Sequence, residues 1–176
     1  MTVNVLKYRM FQTRIKKLQK ALIKQKFDAL LITSVPNIAY LTGVTHFSKE
    51  EREAHILVTN SSVYIFTDKR YTDSLTQIPH LSIEEISHQF SFIDKLQTVL
   101  KKENIKYLGF EEDFVTYSEF ENLSTKFSKH IQLSPQSGLV EQLRIIKDDH
   151  EIENLKKQVE ENKNKYLREK WWRNSI

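Results

Sequence analysis

Cysteine is absent from all 176 residues. That excludes a disulfide framework, a thiolate nucleophile and cysteine-based metal sites, and it fits a reducing compartment. Glycine and proline occur three times each. Three scattered glycines cannot build a Gly-x-Gly-x-x-Gly or Walker phosphate cradle, and so few helix breakers leave no room for long low-complexity linkers. Apolar runs are short: the longest, Ala29 to Ile32 and Ile56 to Val58, fall far below a bilayer span. Met1 to Tyr8 carry neither a long apolar stretch nor a small-residue cleavage site. A secretory leader is therefore not expected, and the expected location is the cytoplasm, with no membrane association. There is no Gly-x-Ser-x-Gly elbow.

Charge of one sign is also lacking. Lys and Arg number 27 against 23 Asp and Glu, a net of +4, and the lysines are interleaved with acids as on solvated helix faces. Without a basic stripe or a recognised module, nucleic-acid binding is not expected. The six histidines, His46, His55, His80, His88, His130 and His150, show no His-Glu-x-x-His spacing. His150 with Glu151 and Glu153 comes nearest to a metal cluster, but at a charged helix start these residues are expected to cap and solvate. No metal is expected in this chain.

What is present suits one globular domain. Hydrophobic residues make up 39% and charged residues 28%, enough for a substantial core. Phe11, Ile15, Leu18 and Leu22 form one stripe of an amphipathic helix. Phe27 to Thr33 is a continuous apolar run, as in a strand covered on both faces. Ser34 and Pro36 open a short helix that Gly43 can close in a left-handed conformation. His55–Thr59 and Val63–Thr67 flank Asn60-Ser61-Ser62 as a hairpin. A helix is predicted from Arg70 to about Gln77 and a strand from Leu81 to Ile86. Ser91 with Asp94, and Thr116 with Glu119, have capping-box spacing ahead of two further helices. Tyr107 to Glu111 reads as a strand, and Ile131 and Leu133 as a short strand before Pro135. Ser134 to Gly138 is the expected hinge. A last helix, capped by Asp148 with Glu151, carries Ile152, Leu155, Val159 and Tyr166 on one side. The order predicts an α/β fold, a mixed sheet flanked by helices, over residues 5–147, with a projecting C-terminal helix in 148–176.

Asp68-Lys69-Arg70-Tyr71 follows a buried strand, where α/β proteins often present functional side chains. Asp68 can cap the next helix, Arg70 can clamp a carboxylate bidentately and Tyr71 can lend a ring and a hydroxyl. Equally, Arg70 can pair with an acid such as Glu53 while Tyr71 fills the core edge. Arg52 reads as a loop charge and Tyr40 as a helix-face packing residue. Trp171 and Trp172, among basic residues, can dock a partner or mark a surface normally covered.

Several phrases in register carry a resemblance. They are Arg14-Ile15-x-x-Leu18, Asp28-Ala29-Leu30-Leu31-Ile32, Asn37-Ile38-x-Tyr40-Leu41-Thr42-Gly43, Arg52-Glu53-Ala54 and Phe66-Thr67-Asp68-x-Arg70-Tyr71, with Leu143-Arg144-Ile145-Ile146-Lys147 before Glu151-Ile152. Over about Arg14 to Lys157 the chain resembles the N-terminal domain of the creatinase/prolidase family, and within it the Xaa-Pro aminopeptidases.

The resemblance implies a mixed sheet with a ribonuclease H-like motif. It implies that peptidase chemistry belongs to a separate pita-bread domain, where two Asp, one His and two Glu hold two divalent metals (manganese, zinc or cobalt). None of those ligands maps onto this chain, so it is expected to be inactive alone and to meet a peptide substrate only when a catalytic domain is supplied. The family's N-terminal domain helps form a homodimer and walls the neighbour's active site. For that role the resemblance points to Tyr40, Arg52, Asp68, Arg70 and Tyr71. The lysine- and asparagine-rich segment Lys156 to Lys165 departs from the family's alanine-rich helix, which suggests a truncated or divergent tail. The alternative is a standalone peptidase-like module that binds a protein partner, as in some eukaryotic histone chaperones.

Overall fold

Ala29–Ile32 forms β1, and all four of its side chains are buried, as a strand covered on both faces requires. The computed structural model describes residues 2–48, 51–79, 81–147 and 149–173. On one side β1 pairs antiparallel with β2 (Ala54–Thr59), Ile32 opposite Ile56. On the other it pairs parallel with β5 (Tyr107–Glu111), Leu31 opposite Phe110. β3 (Val63–Asp68) completes the hairpin with β2, and β4 (Ser82–Ile86) and β6 (Gln132–Gln136) form the edges. The order is β4-β3-β2-β1-β5-β6. The parallel and antiparallel pairings leave β2 alone running against the other five strands.

Strand alternation divides the core between two faces. Leu30, Ile32, Ile56, Val58 and Ile65 meet Ile15, Leu18 and Leu22 of α1 (Thr2–Lys24), Ile38 and Leu41 of α2 (Val35–Thr42), and Leu75 of α3 (Lys69–Leu75). Ala29, Leu31, Leu57, Phe66 and Phe110 meet Leu96, Val99 and Leu100 of α4 (Phe92–Lys102) and Leu123 and Phe127 of α5 (Tyr117–Phe127). Each Val, Leu, Ile or Phe among them contributes roughly 1.5–3 kcal/mol when buried.

Both capping boxes form: Ser91 and Thr116 accept from the backbone N–H groups of Asp94 and Glu119, whose carboxylates reach back to the cap N–H groups. Gly43 closes α2 at φ 78°, and a Cβ there would lie 2.4 Å from the Phe11 ring. Both the turn and the close approach of α1 therefore demand glycine.

Two local features differ from the sequence reading. Pro135 lies inside β6 rather than after it; as an edge strand, β6 has an open side on which a missing N–H costs no ladder bond. Leu139–Ile145 is a helix, α6, which follows the segment read as hinge (Ser134 to Gly138) and runs into the one read as junction (Leu143 to Lys147). It starts where Gly138 turns at φ 68°, and its two turns are too short to show a helical period.

The chain divides into two compact units, residues 1–143 and 144–176. In the second, α7 (Asp149–Arg173) exposes Ile152, Leu155, Val159 and Tyr166. Asp148, read as its cap, and the side chains of His150, Trp171 and Trp172 lie outside the described residues. No described helix is long and apolar enough to cross a membrane.

Candidate functional site at the carboxyl end of the sheet

Because five strands share one direction, their C-terminal ends collect at one end of the sheet, where β2 begins. Thr33 and Ser34 after β1, Arg52 and Glu53 before β2, Asp68 at the end of β3 with Lys69 to Tyr71 after it, and Glu111 at the end of β5 are all placed there. Open α/β sheets bind ligands at this end, since loops leave the strands there with their backbone groups unpaired.

The β3–α3 corner is built around Glu53, whose side chain is only 5% exposed. Its carboxylate accepts the Ser48 backbone N–H at 2.6 Å and the Tyr71 hydroxyl, and Arg70 Nη2 lies 3.6 Å away. Asp68 caps α3 by accepting the Arg70 N–H at 2.8 Å, and the Arg70 guanidinium donates back to it, 2.6 Å from Nη2 to Oδ2. His46 stacks on the Tyr71 ring at 5.4 Å, and Phe47 meets it edge-on at 5.0 Å.

These bonds hold both acids ionised. The Arg70 side chain lowers the Asp68 carboxyl below its ordinary value. The Ser48 N–H, then Tyr71, lowers Glu53, while the bond to Glu53 raises the Tyr71 phenol. The Arg70 side chain, 64% exposed, is thus braced by two carboxylates with part of its guanidinium facing solvent. This corner can position a cation and a phenol rigidly.

Arg52 is held apart from this corner. It adopts φ 49° and sends Nη1 to both Glu119 oxygens at 2.8 Å and Nη2 to the Phe114 carbonyl at 2.8 Å. It thereby ties the entry of β2 to the start of α5. Tyr40 is buried, with the Arg14 guanidinium 4.2 Å above its ring. Its carbonyl accepts from Arg14 at 2.8 Å and its hydroxyl donates to the Leu143 carbonyl at 3.2 Å. The structure therefore gathers Asp68, Arg70 and Tyr71 around Glu53, places Arg52 on Glu119, and sets Tyr40 between α1 and α6.

Sequence reasoning missed Glu111 as a centre. It is 5% exposed and accepts the backbone N–H groups of Thr33 and Ser34 at 2.7 and 2.8 Å and the Asn37 amide at 2.6 Å. The same amide donates to Glu141 at 2.6 Å. Burial raises Glu111 above the ordinary carboxyl range, with the Asn37, Ser34 and Thr33 bonds opposing. The available signal was an acid closing an otherwise apolar strand, with Asn37 opening one of the quoted phrases.

Among the described residues, no group of three or more His, Cys, Asp or Glu is arranged to hold a metal ion. Residues 14–146 match the Creatinase/Prolidase N-terminal domain. This chain belongs to the creatinase/prolidase N-terminal domain family.

Among curated relatives, the domain is 30% identical over 142 residues to the uncharacterized peptidase YqhT of Bacillus subtilis, a match covering 81% of this chain and 38% of that one. Among solved structures, it resembles the Xaa-Pro dipeptidase from Bacillus anthracis with a TM-score of 0.71 and 28% identity, over 81% of this chain and 38% of that one. It also resembles the N-terminal domain of cytoplasmic peptidase PepQ from Mycobacterium tuberculosis, with a TM-score of 0.62 and 27% identity, over 74% and 98% of the two chains. This creatinase/prolidase N-terminal domain thus spans 38% of the length of YqhT.

Proposed function

We propose that this chain acts as the non-catalytic domain of a cytoplasmic Xaa-Pro metallopeptidase, promoting a homodimer and walling the active site of the partner subunit. The observation that carries the reading is the β3–α3 corner: an outward guanidinium on Arg70, immobilised by Asp68 and the buried Glu53. A side chain already ordered loses little entropy when it meets a peptide or a neighbouring subunit, which suits a wall rather than a flexible tether. Arg52 and Tyr40 contribute by fixing β2 to α5 and α2 to α1. By the family resemblance, the divalent metals and the carboxylates that hold them would belong to a catalytic domain.

The test is a chimera in which residues 1–147 replace the matching domain of Bacillus subtilis YqhT, assayed on Xaa-Pro dipeptides with manganese. The isolated chain is expected to be inactive and the chimera active. Arg70→Ala in the chimera is expected to raise KM roughly tenfold, the cost of about 1.4 kcal/mol of lost binding. An unchanged KM in a dimeric Arg70→Ala chimera overturns the wall assignment.

A further inference from the structure

A cleft of about 350 Å³ lies at the amino end of β5 and β6, where α4 and α5 finish. That volume falls within the range of small-molecule sites, about 300–1,000 Å³. One side is apolar, formed by Leu100, Ile105, Phe127 and Ile131. Of these, Ile105 and Ile131 keep 7% and 9% exposure and can be touched from the cleft. The other side is cationic: Lys101, Lys106 and Lys126 border it with His130, and all four are exposed. Among the described residues, no Asp or Glu lines it. The chain's 27 basic residues are nearly matched by 23 acidic ones, so three lysines gathered without an acid are a product of the fold rather than of composition.

The acids nearby are committed to other groups. Glu103 accepts the Tyr64 hydroxyl, and Asp28 accepts the backbone N–H groups of Lys106 and Tyr107 at 2.8 and 2.9 Å. Asp94 comes within 4.0 Å of Lys126 Nζ, but its carboxylate is bonded to Ser91 in the capping box. Lysines in the last turn of a helix also offset its dipole, and Lys101 and Lys126 hold such positions. That does not account for Lys106 or His130, which lie in the turns beyond the helices. The carbonyls of Leu100 and Phe127 are moreover capped by the N–H groups of Ile105 and Ile131, both at 2.9 Å. Like charges around one cleft repel one another, and an anion among them relieves that repulsion. Three ammonium groups favour a multiply charged anion over a single carboxylate, and the methylene stems of the lysines extend the apolar side.

We propose that this cleft binds a small organic phosphate, its dianionic head among Lys101, Lys106 and Lys126 and its apolar body against Ile105 and Ile131. The site lies at the opposite end of the strands from Arg70 and does not depend on the role proposed there.

The test is a ¹H–¹⁵N NMR titration of the full chain at pH 7 with phenyl phosphate, inorganic phosphate and benzyl alcohol, each up to about 10 mM, a range that detects millimolar dissociation constants. Phenyl phosphate is expected to give saturable shifts confined to residues 97–106 and 126–132. It should bind roughly threefold tighter than inorganic phosphate, the gain from burying about 25 Å² of apolar surface. Benzyl alcohol is expected not to saturate. Lys106→Gln and Lys126→Gln should each weaken phenyl phosphate roughly two- to fivefold, the worth of an exposed ion pair, with the remaining spectrum intact. Lys106→Arg, which keeps the charge, should retain most of the affinity. Lys20→Gln, at an exposed position on α1, should leave it unchanged. Absence of saturable shifts, equal affinity for phenyl and inorganic phosphate, or a loss in Lys20→Gln as large as that in Lys106→Gln would each overturn the proposal.

Discussion

Glu111 and His55 are both buried titratable side chains, yet they meet burial in opposite ways. Glu111 is surrounded by donors, two backbone N–H groups on Oε2 and the Asn37 amide on Oε1. A glutamine has a single acceptor oxygen, so Glu111→Gln leaves at least one of these donors facing an NH₂ group. The expected loss is about 1–3 kcal/mol, read as a lower urea midpoint, and the lower end applies if relief from burying a charge offsets part of it. His55 has no partner on Nδ1 and stays neutral. Its folded value of about 4 lies below the ordinary 6.5. As pH falls through that window, the unfolded chain takes up a proton that the folded chain refuses. Stability at His55 is therefore full above the ordinary value and is lost toward pH 4, by up to about 1.4 kcal/mol per pH unit. Denaturation midpoints across this range should fall less steeply in His55→Leu than in the natural chain.

At the scale of elements, the capping box of α5 does more than close a helix. Glu119 accepts from the Thr116 backbone and hydroxyl and also receives Arg52 from the entry of β2. One carboxylate thus joins a helix start to a strand start 67 residues away. Thr116→Ala alone is expected to cost about 1 kcal/mol, the usual value of a cap. Thr116→Ala and Arg52→Ala together should be non-additive by about 0.5 kcal/mol or more, because each change alters the carboxylate that serves the other. A double-mutant cycle in urea measures this directly. Ser91, whose capping box involves Asp94, provides the additive comparison when paired with Arg52→Ala.

At the scale of the whole molecule, the first unit has a closed core on both faces of its sheet, whereas α7 carries exposed Ile152, Leu155, Val159 and Tyr166. Apolar side chains of this size are worth roughly 1.5–3 kcal/mol each if a neighbour covers them. A two-fold dimer is the commonest way for one chain to supply that neighbour. Light scattering on the full chain at tens of micromolar is expected to give a dimer, and a chain ending at Lys147 a monomer. If the shorter chain is also dimeric, association belongs to the first unit; if neither is, the homodimer proposal fails for this chain.

The sequence by itself determined the elements whose causes are local. A run of four apolar residues made β1 a central strand, and the stripe Phe11, Ile15, Leu18 and Leu22 made α1 a covering helix. Ser91 and Thr116 announced their helices three residues ahead of the acids that complete each box, and Gly43 announced a left-handed stop. Each of these depends on neighbours within a few residues, which periodicity and capping chemistry report faithfully.

Only the tertiary structure decided that Glu53 would bind Tyr71, that Arg52 would turn to Glu119, and that Glu111 would reach Asn37 across a separation of 74 residues. It also decided that Leu139–Ile145 would be helical, a segment too short to declare itself and anchored by burial of Leu139 and Val140. The physical reason is strand order. Placing β1 between β2 and β5 brings residues distant in the chain to one end of the sheet, and no local pattern encodes which of them will share a hydrogen bond there.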